Sequence, residues 1–129
     1  VRRMMDLLLR DASLQSGDVD YVNGHGTGTE SNDAVEVSIL QELFGTAPWV
    51  NSTKALLGHT IGASGALEAV ATALSLRDGI VHPMPALDSP IDGARFAGKT
   101  AQSAPLQTAI TYSFAFGGHN VGLALRRGT

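Results

Sequence analysis

A single layered α/β domain is the fold this sequence points to. Stretches with helical apolar spacing alternate with short apolar runs, in the order helix, strand, helix, strand, helix and a closing strand pair. Glycine-bearing turns punctuate most of the junctions. A length of 129 residues, 43% apolar and 16% charged, suits one compact core. Aromatic residues make up only 5%, so that core must rely on close backbone approach more than on large rings.

Residues 3–14 have the spacing of a helix that buries Met4, Leu7, Leu8 and Leu14. Ser16-Gly17-Asp18 is a turn, and Val19 to Asn23 follows as a strand that ends in the glycine-rich run Gly24 to Thr29. Ser31 or Asn32 is placed to cap the next helix, with Asp33 and Glu36 in its first turn, where negative charge suits the helix dipole. Val35, Ile39, Leu40 and Leu43 continue it, and Gly45 ends it. After Pro48, Trp49 to Thr53 reads as a strand. The third helix is expected from Ile61 to Arg77, closed by Asp78-Gly79. Gly62 and Gly65 near its start lower its propensity, which close packing can offset. Residues 83–106, with Pro83, Pro85, Pro90 and Pro105, read as a long irregular connection. Ala109 to Phe114 and Val121 to Leu125 form a hairpin about Gly117-Gly118.

The composition narrows the function classes. A net charge of −3 with no run of basic residues argues against nucleic acid or an anionic membrane as partner. The absence of cysteine excludes disulfides, thiolate metal sites and a cysteine nucleophile within these residues. No stretch is long and apolar enough to span a bilayer, and Val1 to Asp6 lacks the apolar core of a signal peptide, so a cytoplasmic location is expected. Beginning with Val1 and directly in a helical pattern, the sequence reads as a fragment of a longer protein.

Several polar residues stand where ligands bind in α/β domains. His25 lies between two glycines at the end of a strand, where backbone and ligand can approach closely. Lys54 follows the second strand and His59 comes five residues later, at the entrance to a helix. There an imidazole tends to stay neutral and can donate one N–H to a developing oxyanion. Glu68 sits among Leu67, Val70 and Leu74; if buried it needs a partner, and Lys54 is the natural one. Three other patterns are weaker. Ser52 and Lys54 share a strand face as a Ser–Lys dyad would, but nothing else typical of such hydrolases is present. Gly24, Gly26 and Gly28 make only part of a phosphate loop. The spacing of His25, His59, His82 and His119 fits no zinc pattern.

Taken together, three segments resemble those of β-ketoacyl synthases. Val22-Asn23-Gly24-His25-Gly26-Thr27-Gly28-Thr29 is similar to their HGTGT segment. Asn51-Ser52-Thr53-Lys54 through Gly58-His59, followed by Gly62-Ala63-Ser64-Gly65-Ala66, is similar to their lysine and GH…GAAGA segment. Ser113-Phe114-Ala115-Phe116-Gly117-Gly118 is similar to their SFGFGG turn. The three occur in family order across nearly the whole chain. In the Asn51 to Lys54 segment and the Gly118-His119-Asn120 ending, the sequence resembles discrete fatty-acid-type or actinobacterial synthases more than modular polyketide ones.

The resemblance implies the C-terminal half of a thiolase-like fold, a βαβαβαββ lobe with a mixed sheet and packed helices, occupying residues 1–129 as one domain. It implies decarboxylative Claisen condensation of a malonyl unit, carried on an acyl carrier protein, with an acyl thioester. The acyl-bearing cysteine would belong to a first half absent here, so this chain alone is expected to be inactive. By resemblance, His25, His59 and Lys54 are the catalytic residues, with Glu68 supporting the lysine. Thr27 and Thr29 would bind the phosphopantetheine arm. Phe116 would supply a backbone oxyanion donor and a gating ring. No bound cofactor is implied beyond a structural monovalent cation near Glu68 and Asn23. A homodimer, the cysteine-bearing half and the carrier protein are the implied partners. Two departures stand out. Ala115 replaces the family's usual glycine and would be strained if φ is positive there; Gly24 stands where alanine or serine is common, a change expected to be harmless. The alternatives are a non-catalytic synthase-like subunit, which the paired histidines and lysine argue against, and a generic thiolase-fold acyl-CoA enzyme, which the HGTGT segment argues against.

Overall fold

The computed structural model describes residues 1–128; Thr129, the last residue of the expected lobe, lies outside them. The chain runs through α1 (Arg2–Asp11), β1 (Tyr21–Asn23), α2 (Glu30–Phe44), β2 (Trp49–Asn51), α3 (Lys54–Leu57), α4 (Ser64–Asp78), β3 (Ile80–Val81), β4 (Arg95–Phe96), β5 (Gln102–Ser103), β6 (Thr108–Ala115) and β7 (His119–Arg126). The main sheet has the order β4-β2-β1-β6-β7. The first four are parallel neighbours, and β7 returns antiparallel to β6.

Period-two alternation places the two faces of this sheet against different helices. Val22, Val50, Ile110 and Tyr112 meet Met5, Leu9, Leu40 and Phe44 of α1 and α2. Tyr21 and Ala109 meet Leu76 of α4, together with Val81, Ala97 and Leu106. The result is helix, sheet, helix: the expected mixed α/β lobe.

Several expectations shift. In α1 the buried residues are Met5 and Leu9, with Leu14 just beyond; Met4 and Leu8 flank them and Leu7 is exposed. The helix is turned so that Met4 and Leu8 press on β7 at Gly122. A Cβ there would come within 2.8 Å of both side chains, so any larger residue would require the ends of Met4 and Leu8 to move. In α2 the N-cap is Thr29, ahead of Ser31 and Asn32, and Val35 is exposed while Glu36 and Val37 turn inward.

The third expected helix opens at Ile61 as expected, but as a 3₁₀ turn over Ile61–Ala63. The one-turn α3 ends at Gly58 (φ 74°), Ile61 has φ 52°, and regular helix begins only at Ser64. A left-handed residue cannot continue a right-handed helix. The stretch 83–106 is not wholly irregular: β4 joins the main sheet beside β2, and β5 pairs with β3. Two-residue strands are too short to display a period among four prolines. No helix among the described residues is long and apolar enough to cross a membrane.

Candidate active site

The C-terminal ends of three parallel strands, β1, β2 and β6, converge, and the turns that follow them carry the polar residues. His25 follows β1 and is buried, its ring 5.1 Å from Phe114 and 5.8 Å from His59, centroid to centroid. The glycines around it are needed for different reasons. Gly26 has φ 45°, and a Cβ on it would lie 2.5 Å from Ser52 Cβ. At Gly24 a Cβ would lie 2.5 Å from Glu36 Oε1. That carboxylate is buried and held, accepting the Gly26 N–H at 2.9 Å and Asn32 Nδ2 at 2.8 Å. An alanine at position 24 would therefore require that carboxylate to shift, whereas the glycine present fits beside it. Burial raises the Glu36 pKa, and the Gly26 N–H opposes the rise.

Lys54 turns back from the start of α3 into the same centre. Its ammonium is buried, pairs with Glu68 Oε1, and lies 3.3 Å from His25 Nδ1. Ser113 Oγ donates to Glu68 Oε2 at 2.9 Å. Glu68 is buried as expected, but on the opposite side of α4 from Leu67, Val70 and Leu74, which are exposed. The helix buries Ser64, Glu68, Thr72, Ser75 and Leu76 instead. The Ser–Lys dyad does not form. Ser52 Oγ donates to the Gly26 carbonyl at 3.2 Å, while the lysine ammonium points to His25 and Glu68.

The partners of the two imidazoles fix their tautomers. An ammonium only donates, so His25 Nδ1 accepts and the ring proton sits on Nε2. Burial, then the Lys54 charge, then His59 push the His25 pKa down to about 4, with Asp33 opposing. His59 is exposed. Its Nδ1 accepts the Ile61 backbone N–H at 3.1 Å and lies 3.2 Å from Ser64 Oγ, so it too presents Nε2–H. The strained φ of Ile61 aims that N–H. Two neutral N–H donors, their rings at 89°, can converge on one developing oxyanion.

The remaining expected residues lie on the turns that follow β1 and β6. Thr27 and Thr29 hydroxyls lie 2.8 Å apart. Phe116 is fully exposed in the β6–β7 turn. Ala115 is extended (φ −135°), so the expected strain does not arise; Gly117 and Gly118 take the positive φ values instead. A cavity of about 400 Å³ opens beside Thr27, Lys54 and His59, walled by Met84, Leu87 and Phe96.

Near Glu68 and Asn23 the side-chain oxygens already have protein partners. Asn23 Oδ1 accepts the Thr53 N–H, and both carboxylate oxygens of Glu68 are engaged by Lys54 and Ser113. Among the described residues no group of three His, Cys, Asp or Glu could hold a metal. Sequence reasoning weighed His82 only as a metal ligand. The structure instead bonds it to Thr53, in a buried network with Asn23, Asn51, Tyr21 and Thr72. The only signal available in advance was the asparagine that ends each of two neighbouring strands.

Comparisons with known proteins agree in one direction. Residues 1–88 match the family model described as "Beta-ketoacyl synthase, C-terminal domain". The 3-oxoacyl-[acyl-carrier-protein] synthase 2 of Rhizobium meliloti is 37% identical over 132 residues, covering 98% of this chain and 31% of its own. The enzyme of that name from Mycobacterium bovis is 42% identical over 120 residues, covering 90% of this chain and 28% of its own. Among solved structures, a ketosynthase in complex with a type II PKS acyl-carrier protein superposes with a TM-score of 0.93 at 28% identity, covering 99% of this chain and 33% of its own. A β-ketoacyl synthase from Burkholderia phymatum gives 0.85 at 34% identity, covering 99% and 32%. The chain thus spans about a third or less of the length of these proteins.

Proposed function

Because the chain belongs to the β-ketoacyl synthases, we propose that it is the C-terminal lobe of an enzyme that condenses a malonyl thioester with an acyl thioester. The observation that carries this reading is the pair of imidazoles held as Nε2–H donors, by Lys54 at His25 and by the Ile61 N–H at His59. When the malonyl carboxylate leaves as CO₂, the electrons of the broken C–C bond move onto the thioester oxygen. Two preorganised N–H groups stabilise that charge as it forms. The resulting carbanion attacks the acyl carbonyl, and the thiolate that carried the acyl group departs. That thiolate must come from another lobe, since this chain has no cysteine.

In this reading Lys54 keeps His25 neutral and oriented, and Glu68 with Ser113 holds Lys54. The Thr27 and Thr29 hydroxyls meet the phosphopantetheine arm of an acyl carrier protein. The Phe116 backbone N–H stabilises the second oxyanion, and its exposed ring covers the acyl chain. A second copy of the synthase completes the assembly, which works in the cytoplasm; the 129 residues alone do not elongate an acyl chain. The test separates the half-reactions in the full-length protein. His25→Ala and His59→Ala should each lower CO₂ release about 10²–10³-fold and lower acyl loading much less. Equal losses in both steps, or unchanged CO₂ release, would overturn the assignment.

A further inference from the structure

His82 lies outside the constellation just described, one residue beyond β3, yet its ring faces Thr53, the residue immediately before Lys54. We propose that His82 is a positioning residue for the condensation: through Thr53 Oγ1 it fixes the turn that delivers Lys54 to His25 and Glu68. The inference rests on the function proposed above.

The donor and acceptor roles run in one direction. His82 Nδ1 is 3.2 Å from the Pro83 carbonyl, which only accepts, so Nδ1 carries the proton. Burial lowers the pKa of this imidazole, which leaves Nε2 as a bare acceptor. The Thr53 hydroxyl, 3.1 Å away, therefore donates to it. The same hydroxyl accepts from Asn23 Nδ2 at 2.7 Å, and Asn23 Oδ1 accepts the Thr53 N–H at 3.1 Å. Asn23 Nδ2 also reaches Thr72 Oγ1 at 3.1 Å and the Glu68 carbonyl at 3.3 Å, which ties the turn to the helix that carries the carboxylate. The Thr53 carbonyl accepts the Leu56 and Leu57 N–H groups and starts α3. Thr53 is thus held at its side chain, N–H and carbonyl. His82 is itself anchored, its carbonyl accepting Asn51 Nδ2 at 2.8 Å while Asn51 Oδ1 accepts the Tyr21 hydroxyl at 2.7 Å. Without His82, the buried Thr53 O–H has no acceptor in this arrangement and must turn toward one, disturbing Asn23 and the approach of Lys54.

The experiment compares His82→Leu, His82→Gln and Thr53→Val in the full-length protein. Glutamine can present an oxygen to Thr53 and an N–H to Pro83; leucine can do neither. For CO₂ release, His82→Leu and Thr53→Val should each lose about tenfold in kcat with little change in KM. His82→Gln should recover most of that, and the Leu/Val double variant should be no worse than either single change. Independently of turnover, the His25 titration, followed by NMR of ¹³C-labelled histidine, should move up in His82→Leu as Lys54 loses its hold on Nδ1. If His82→Leu does not fold, Thr53→Val carries the same two measurements. Wild-type kcat with an unmoved His25 titration overturns the proposal, and so does a glutamine variant as impaired as the leucine one. Failure of the function itself looks different: wild-type protein releases no CO₂, while the His25 titration still reports the relay.

Discussion

The two faces of the sheet are sealed by different chemistry. Toward α1 and α2 the contacts are almost all apolar: Val22, Val50 and Ile110 against Met5, Leu9, Leu40 and Phe44. Toward α4 the deepest groups include Asn23, Asn51, Glu68 and Thr72, each hydrogen-bonded, while α4 turns Leu67, Val70 and Leu74 outward. Dispersion and the hydrophobic effect have no direction, so the first face can repack without losing its free energy. Hydrogen bonds have direction, and a buried group that loses its partner keeps its desolvation cost. The apolar face secures the sheet; the polar face fixes where Lys54 and His25 stand.

The largest break in that contrast should come from the ion pair. Lys54→Met or Glu68→Leu alone should destabilise by about 3–5 kcal/mol, because each leaves a buried charge unpaired. The double variant should cost less than the sum, a coupling measurable by chemical denaturation of the full-length protein. Additive losses would mean that the two charges do not depend on each other. A matched pair sharpens the comparison. Thr72→Val, nearly isosteric, should cost about 1–3 kcal/mol because Asn23 Nδ2 and the Glu68 carbonyl both lose a partner. Leu40→Met on the other face should cost less than about 1.5 kcal/mol. The reverse ranking in urea midpoints would erase the distinction.

The remaining contrast is a slope with pH. His25 is lowered from 6.5 to about 4, so between those values the unfolded chain binds the proton more readily than the folded one. Its contribution is intact above pH 6.5 and is lost progressively as pH falls to about 4. Glu36, raised by burial, acts in the opposite sense above its ordinary value. A His25→Gln protein should therefore show a shallower loss of stability with acid than wild type. Parallel curves would mean that His25 is not depressed.

Much of the site was legible because its residues sit at junctions. His25 and Lys54 follow strand ends, His59 follows the one-turn α3, and a charge such as Glu68 on a small-residue helix demands a partner. The polar network was not legible. Tyr21, Asn23, Asn51, Thr53, Thr72 and His82 meet across as many as 49 residues of sequence, and no local spacing encodes which amide finds which hydroxyl. The orientation of α4 misled for a related reason: helical period identifies the two sides of a helix, but the side that meets the sheet is chosen by tertiary partners. Ala115 misled in the other direction, because the turn moves its left-handed residues to the two glycines that follow.

Ile61 shows what such a site demands of sequence drift. A β-branched residue at φ 52° is held against its own steric preference, and it is the residue whose N–H fixes the His59 tautomer. Glycine would relax the backbone there and at the same time widen the range of directions that N–H can take. Selection for a calmer chain and selection for an aimed imidazole therefore pull this one position opposite ways. An exposed isoleucine that looks replaceable by composition alone is among the residues least free to improve.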